Sequence, residues 1–482
     1  MGPRTVCRKS LLDDVPYTYL VTLVVYDKVI TNIPERVARA VPLCYNDATS
    51  AMPKRMCYLD YAATTPLNPE VFRAMEPYFA EEFGNPSSLY GLGRRAKLAI
   101  EESIKKISDT LNCRPGEIIF TGSATEADNL AVMGAARANR RAGNKIIASA
   151  IEHKAVLSAC NALRAEGFEI VELPVDKHGL VKIGDLKKYL DKKTILVSVM
   201  YANNEIGTVQ PIREMSEIIR KFRGEPQIND QGSRTGAVLP FFHSDAVQAL
   251  QFLDCDVQKL GVDLLTLSGH KVYGPKGVGA LYARRGVKIS PLNYGGGQQE
   301  RRRPGTENVP GIVGFGESVR LAKKNRREES ARLKKLRDKL EKGIFRNIPR
   351  ILLTGGKTSR LPNFLNVSIL DIEGEALLLY LDEKGIAVST GSACNSESLE
   401  PSHVLTALGL PYEYIHGSIR FTLGHGTTEN DIDYVLHELP PLVKKLRSIS
   451  PVNLNPNERK ETSLPKAFVG GQTPHFLRKK KK

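Results

Sequence analysis

The sequence predicts an α/β fold: a mainly parallel seven-stranded sheet covered by helices on both faces, followed by a smaller α+β domain. Three observations carry this. Seven apolar runs (EIIFT from Glu117, KIIASA from Lys145, EIVELPV from Glu169, TILVSVM from Thr194, LPFFHSDA from Leu239, LLTLSGH from Leu264, VGALYAR from Val278) are mostly separated by helical patterns, such as Ala124 to Arg141 and Lys154 to Glu166. Past Pro310 the character changes to a long charged helical stretch, about Gly314 to Ile344, then the shorter strand candidates FLNVSIL, IAVST and SIRFTL. Finally, the residues of most chemical interest fall at the ends of the apolar runs, and open parallel sheets bind ligands outside the carboxyl ends of their strands.

Taken in order, residues 1–56 form an extension with one β-like run, TYLVTLVVY, and no assigned role. Its acidic residues argue against a transit peptide, and no cleavage site follows an apolar core. Residues 57–312 read as the large domain. YLDYAATTPLNP is a short strand and turn, FGNPSSLYG a loop. Arg94 to Leu111 is an amphipathic helix, with Ala96, Ala99, Ile100, Ile104, Ile107 and Leu111 near helical spacing. KFRGEPQINDQGSRTG, from Lys221, is an inserted polar loop. Residues 313–450 read as the smaller domain and 451–482 as a basic tail without a core.

Composition bounds the function. At 482 residues, 41% hydrophobic and 25% charged, the chain is globular and can bury a large core. No run approaches the roughly 20 apolar residues of a membrane helix. The net charge of +16 is concentrated at Arg320 to Arg346 and in the terminal RKKKK. No aromatic or groove-reading motif accompanies these blocks, so they read as solvated faces rather than a nucleic-acid site. The seven cysteines are odd in number and form no CxxC pair. That points to a reducing compartment, the cytoplasm or otherwise an organelle, and away from disulfides or zinc.

Seven constellations carry chemistry. Lys271, in SGHKVYGPKG, stands at the mouth of a strand beside Ser268 and His270, where an amine can hold an aldehyde as a Schiff base; a turn lysine is the plain alternative. TGSATEADN places Ala124 and Thr125 where a strand opens into a helix, a seat for phosphate or a simple helix cap. In SDAVQ, Asp245 can keep a pyridine nitrogen protonated and Gln248 can bond a ring oxygen; an N-cap aspartate is the alternative. His153, just past a strand, can stack on a ring and move protons, or be structural. Asn203 and Asn204 of YANNEIG end another strand as ligands or turn residues. Cys394, in STGSACNSESLEPSHVL, sits in a small-residue run where a thiol can accept and pass on sulfur. Arg420, between apolar residues of SIRFTL, suits a carboxylate, from substrate or from an internal ion pair. Together they describe a pyridoxal-phosphate enzyme acting on an amino acid.

From about Tyr58 to Pro451 the sequence resembles the cysteine desulfurases of the NifS/IscS type, in the class V aminotransferase group. The resemblance rests on LDYAATTP, FGNPSS, SATEADN, EHKAV, NNEIG, SGHKVYGPKG, RPGTENV and STGSACNSESLEPSHVL. It implies a fold-type-I pyridoxal-5′-phosphate transferase, usually a homodimer. By motif, Lys271 would bind the cofactor. Ala124, Thr125, Ser268 and His270 would hold its phosphate, with Thr306 of RPGT reaching over from the partner subunit. Asp245 and Gln248 would bond the ring, and His153 would stack on it. Asn204 would contact cofactor or substrate, and Arg420 the carboxylate of L-cysteine. Cys394 would carry the sulfur as a persulfide and act as a transient iron–sulfur ligand. The products would be alanine and sulfur for an iron–sulfur scaffold or a tRNA-thiolation protein. TGSAT departs from the family's usual TSGAT but keeps the hydroxyls. The family's scaffold-contacting tail is not recognisable after Pro451. A selenocysteine lyase, a non-catalytic docking platform and a basic RNA-associated protein are the competing readings.

Overall fold

The computed structural model describes residues 55–224, 238–356, 359–390 and 401–449. The run TYLVTLVVY, most of the inserted loop, Cys394 with its neighbours at 391–400, and the basic tail lie outside them. The described residues, from Arg55 to Ile449, belong to one compact unit.

A two-residue strand β1 (Cys57–Tyr58) comes first. Each of the seven expected runs is a strand: β2 (Ile118–Thr121), β3 (Lys145–Ser149), β4 (Glu169–Leu173), β5 (Thr194–Ser198), β6 (Phe241–Asp245), β7 (Leu264–Ser268) and β8 (Gly279–Ala283). They form one sheet in the order β2-β8-β7-β6-β5-β3-β4. The pairs from β7 through β4 are parallel, and β8 runs antiparallel to both its neighbours. Six of the strands are buried throughout, which is why they read as unbroken apolar runs. Edge strand β4 instead exposes Glu169 and Glu172.

Alternation divides the core. Ile147, Val197, Phe242 and Leu265 pack on one face with α1 (Gly91–Leu111). Their sequence neighbours Ile146, Leu196, Phe241 and Leu264 pack on the other with α2 (Ala124–Asn129) and α3 (Lys154–Ala165). The helix expected over 124–141 is interrupted by a π-turn at Leu130–Gly134 and ends at Ala138. A close approach accounts for this: the Gly134 carbonyl accepts the Ser290 N–H at 3.0 Å, and a Cβ on Gly134 would lie 2.6 Å from Ile289.

The long charged helix is α4 (Val309–Asn347), with Pro310 harmless in its first turn. Its apolar residues serve two cores in succession. Val309 to Ala322 pack beneath the large sheet, and Leu333, Leu340 and Ile344 beneath a second. That second sheet is antiparallel, in the order β12 (Ser418–Thr422), β10 (Phe364–Ile369), β9 (Ile351–Leu353). The IAVST run supplies only β11 (Ile386–Ala387), because its partner is the two-residue β1, which pairs with it in parallel. Helix α5 (Glu429–Ile449) covers this core. Among the described residues no helix is long and apolar enough to cross a membrane.

Candidate active site

The topology explains why the singled-out residues converge. Strands β3, β5, β6 and β7 are parallel, so their carboxyl ends share one edge. The two antiparallel steps through β8 cancel, which brings the end of β2 to the same edge. His153 follows β3, Asn203 and Asn204 follow β5, Asp245 ends β6, Ser268 ends β7, and Ser123 to Thr125 follow β2.

Lys271 closes a 3₁₀ turn, Gly269–Lys271, directly after β7. Its Nζ donates to the carbonyls of Ala62 and Ala63 at 2.6 and 2.7 Å. Gln248 Nε2 donates to the same Ala62 carbonyl at 3.1 Å. His270 Nδ1 is 3.1 Å from Thr64 Oγ1, and Thr65 Oγ1 donates to the His270 carbonyl at 2.9 Å. The hub joining these side chains is thus the turn of YLDYAATTP. Sequence reasoning treated it as a strand and a turn, because its backbone carbonyls carry no residue-type signal.

On the phosphate side, Ser123 caps α2, accepting the Glu126 N–H at 3.2 Å. Gly279 of β8 pairs with Ser268, and a Cβ there would meet the Ser123 and Ala124 backbone at 2.6–2.9 Å. Only glycine lets Ser268 and the start of α2 lie so close. The Ser268 hydroxyl is buried without a hydrogen-bond partner. Burial, followed by the charges of Lys271 and Lys276, lowers the His270 imidazole to about 4. Thr306 is exposed on the loop before α4, while Arg303 of the same RPGT motif pairs with Glu126 at 2.8 Å.

The floor of the site is acidic and buried. Asp245 is buried, and its Oδ1 accepts the Val247 N–H at 2.8 Å. Burial raises its carboxyl to about 6, against the opposing pull of that bond and of Lys271. Behind it lie Asp128, raised by burial and by Asp245, and His243, lowered to about 3 by burial. His153 caps α3, with Nδ1 accepting the Ala155 N–H at 3.1 Å, so the neutral ring carries its proton on Nε2. Burial and then Lys271 keep that imidazole below its usual range.

Glu152, beside His153, is fully buried. It accepts the Ser149 hydroxyl and, at 2.8 Å, the Met200 N–H. Burial raises its carboxyl from 4.5 to about 8. The folded state therefore keeps a proton that the unfolded chain loses above 4.5. This stabilisation is full below that pH and is lost as the pH rises through about 8. Glu152→Gln is expected to shrink the fall in urea midpoint between about pH 5 and about pH 8. An unchanged fall would count against a protonated Glu152.

Arg420 projects from mid-β12. Its Nη2 pairs with Asp60 Oδ1 at 2.8 Å, its Nη1 donates to the Asn204 carbonyl at 2.7 Å, and its Nε is buried without a hydrogen-bond partner. Asn204 thus meets Arg420 through its backbone. Asn203 is a turn residue: its Oδ1 accepts the N–H groups of Glu205 and Ile206 at 2.9 and 3.0 Å. Cys394 lies outside the described residues.

Residues 57–435 match the aminotransferase class-V family. The chain belongs to that family. Among class-V relatives, the "Cysteine desulfurase IscS" of Methanosarcina thermophila is 51% identical over 419 residues, 87% of this chain and 99% of that protein. The protein of the same name from Dictyoglomus turgidum is 50% identical over 83% of this chain and 97% of its own. A solved structure titled "NIFS-LIKE PROTEIN" superposes with a TM-score of 0.74 at 36% identity, covering 81% of this chain and all of that one.

Class-V aminotransferases depend on pyridoxal phosphate, and the residues here fit that group. An amine, a buried carboxylate, an imidazole with its proton on Nε2 and an unsatisfied hydroxyl beside a helix start line one edge of the sheet. Sequence reasoning missed Asp60, Glu152 and Asp128. Each could have been flagged only as a charged residue adjoining a strand or a helix start, which by itself is a weak signal.

Proposed function

We propose that the protein is a pyridoxal-phosphate-dependent cysteine desulfurase, converting L-cysteine to L-alanine and leaving the sulfur on Cys394. The observation that carries this is the Lys271 amine, held on two carbonyls next to Asp245 and His153 in a class-V chain. Lys271 would hold the cofactor. Ala124, Thr125, Ser268 and His270 would take the phosphate, with Thr306 arriving from the partner subunit. Asp245 and Gln248 would hold the ring. When bound, the cofactor supplies an electron sink for the substrate carbons.

The chain's residues do the rest. Arg420 orients the substrate carboxylate and Asn204 lines the same pocket. His153 donates and recovers a proton at Nε2. The Cys394 thiolate attacks the substrate sulfur: an S–S bond forms, the C–S bond breaks toward carbon, and the carbon takes up a proton. The persulfide then passes its terminal sulfur to an acceptor thiol, as on an iron–sulfur scaffold or a tRNA-thiolation protein. Exposed Phe79, Phe83, Leu89 and Tyr90, near the loop FGNPSSLYG, support a homodimer built over this face. The setting is a reducing one, the cytoplasm.

The test is direct. Protein loaded with pyridoxal phosphate, given L-cysteine and a reductant, is expected to release alanine and sulfide in equal amounts. Cofactor-bound protein that makes no alanine would sink the reading, and preferred turnover of selenocysteine would move it to a lyase.

A further inference from the structure

We infer that Asp60 is the positioning residue for Arg420, and so sets the enzyme's selectivity for a substrate bearing an α-carboxylate. The inference rests on the reading of Arg420 given above. A guanidinium offers five N–H donors. On Arg420, one nitrogen is tied to Asp60 and another to the Asn204 carbonyl, yet Nε, though buried, has no partner. Native proteins rarely leave a buried charged donor unmet, so an acceptor is expected there when the site is in use.

Asp60 is itself fixed. Its backbone bridges Thr422, two residues beyond Arg420 on β12, and its side chain is mostly buried. Two and three residues on, the Ala62 and Ala63 carbonyls hold Lys271. One short stretch therefore sets the spacing between the Lys271 amine and the Arg420 guanidinium. An α-amino acid must span that spacing with its amino and carboxylate groups.

Two effects of removing the Asp60 charge oppose each other. Arg420 becomes a less neutralised cation, which favours any anion. It also loses the partner that fixes its plane, which disfavours a directional carboxylate bond. Positioning wins in this geometry, because recognition of a carboxylate depends on aligned donors more than on net charge.

The experiment uses the cofactor-loaded enzyme with Asp60→Asn, a near-isosteric change that keeps the backbone bridge, and Asp60→Ala alongside it. Melting temperature and cofactor absorbance report folding and loading. In Asp60→Asn, KM for L-cysteine is expected to rise about tenfold with kcat within about threefold, the signature of lost substrate orientation. Inhibition by L-alanine should weaken by a similar factor, while inhibition by ethylamine, which lacks the carboxylate, stays put. Unchanged or tighter alanine binding, or equal weakening of both inhibitors, would overturn the inference and leave Asp60–Arg420 as an ion pair of the fold. Arg420→Lys separates the premises. If it leaves KM unchanged, the carboxylate reading of Arg420 is what has failed; if it raises KM while Asp60→Asn does not, only Asp60 has.

Discussion

Lys271→Ala protein is expected to form alanine at least about a thousandfold more slowly than the native enzyme and to lose the visible absorbance of covalently held cofactor. The replaced side chain is the only part of SGHKVYGPKG that reaches the Ala62 and Ala63 carbonyls through a charged donor. Its charge also acts on its neighbours: it lowers the carboxyl of Asp245 and the imidazole of His153. Without it, both groups should titrate at higher pH. Residual cofactor binding in the variant, followed by absorbance, should therefore show its acid limb moved upward. Native-like absorbance in Lys271→Ala would mean that another amine holds the cofactor, and the assignment would fall.

Cys394→Ala is expected to abolish sulfide release, by about three orders of magnitude or more, while leaving the cofactor absorbance and its response to L-cysteine intact. Sulfur leaves the substrate only if something accepts it, and a methyl side chain cannot form the S–S bond. The variant should therefore bind cysteine, as seen by the spectral change, and stop. Alanine produced at the native rate without Cys394 would show that a different thiol, or none, takes the sulfur. Mass spectrometry of the native enzyme after one turnover should find the added sulfur on the Cys394 peptide.

Six strands of the large sheet were legible because burial on both faces forces continuous apolar runs, and β4, which exposes Glu169 and Glu172, through the apolar residues between and after them. The candidate residues at their ends were legible for the same reason. A hydroxyl, an imidazole or an amine directly after such a run stands out, as at Ser268, His270 and Lys271. Contacts made by backbone atoms or across great sequence distance were not. Nothing in the letters of Ala62 and Ala63 says that their carbonyls face Lys271, and nothing near Arg420 in sequence points to Asp60. Asn203 and Asn204 looked equivalent as letters, but the fold uses the first as a turn and the second through its carbonyl. Helix 124–141 was overextended because its interruption depends on Ser290, which comes from another part of the chain.

The turn from Asp60 to Thr65 has a further consequence, for the order in which the molecule is made. Hydrogen bonds spanning 205 to 360 residues join it to His270 and Lys271 on one side and to Arg420 and Thr422 on the other. A ribosome delivers the first of these residues early and the last late. Until β12 has emerged, Asp60 has no Arg420 to meet and Ala62 has no Thr422 hydroxyl to donate to. The growing chain thus carries its Lys271 well before the proposed pocket's other wall exists, and amino-acid binding there would await nearly the whole polypeptide. Loop closures of this length are slow relative to local contacts. Shortened chains ending before Ser418 should thus retain much of the large sheet yet bind no amino acid, which makes the site a late product of synthesis.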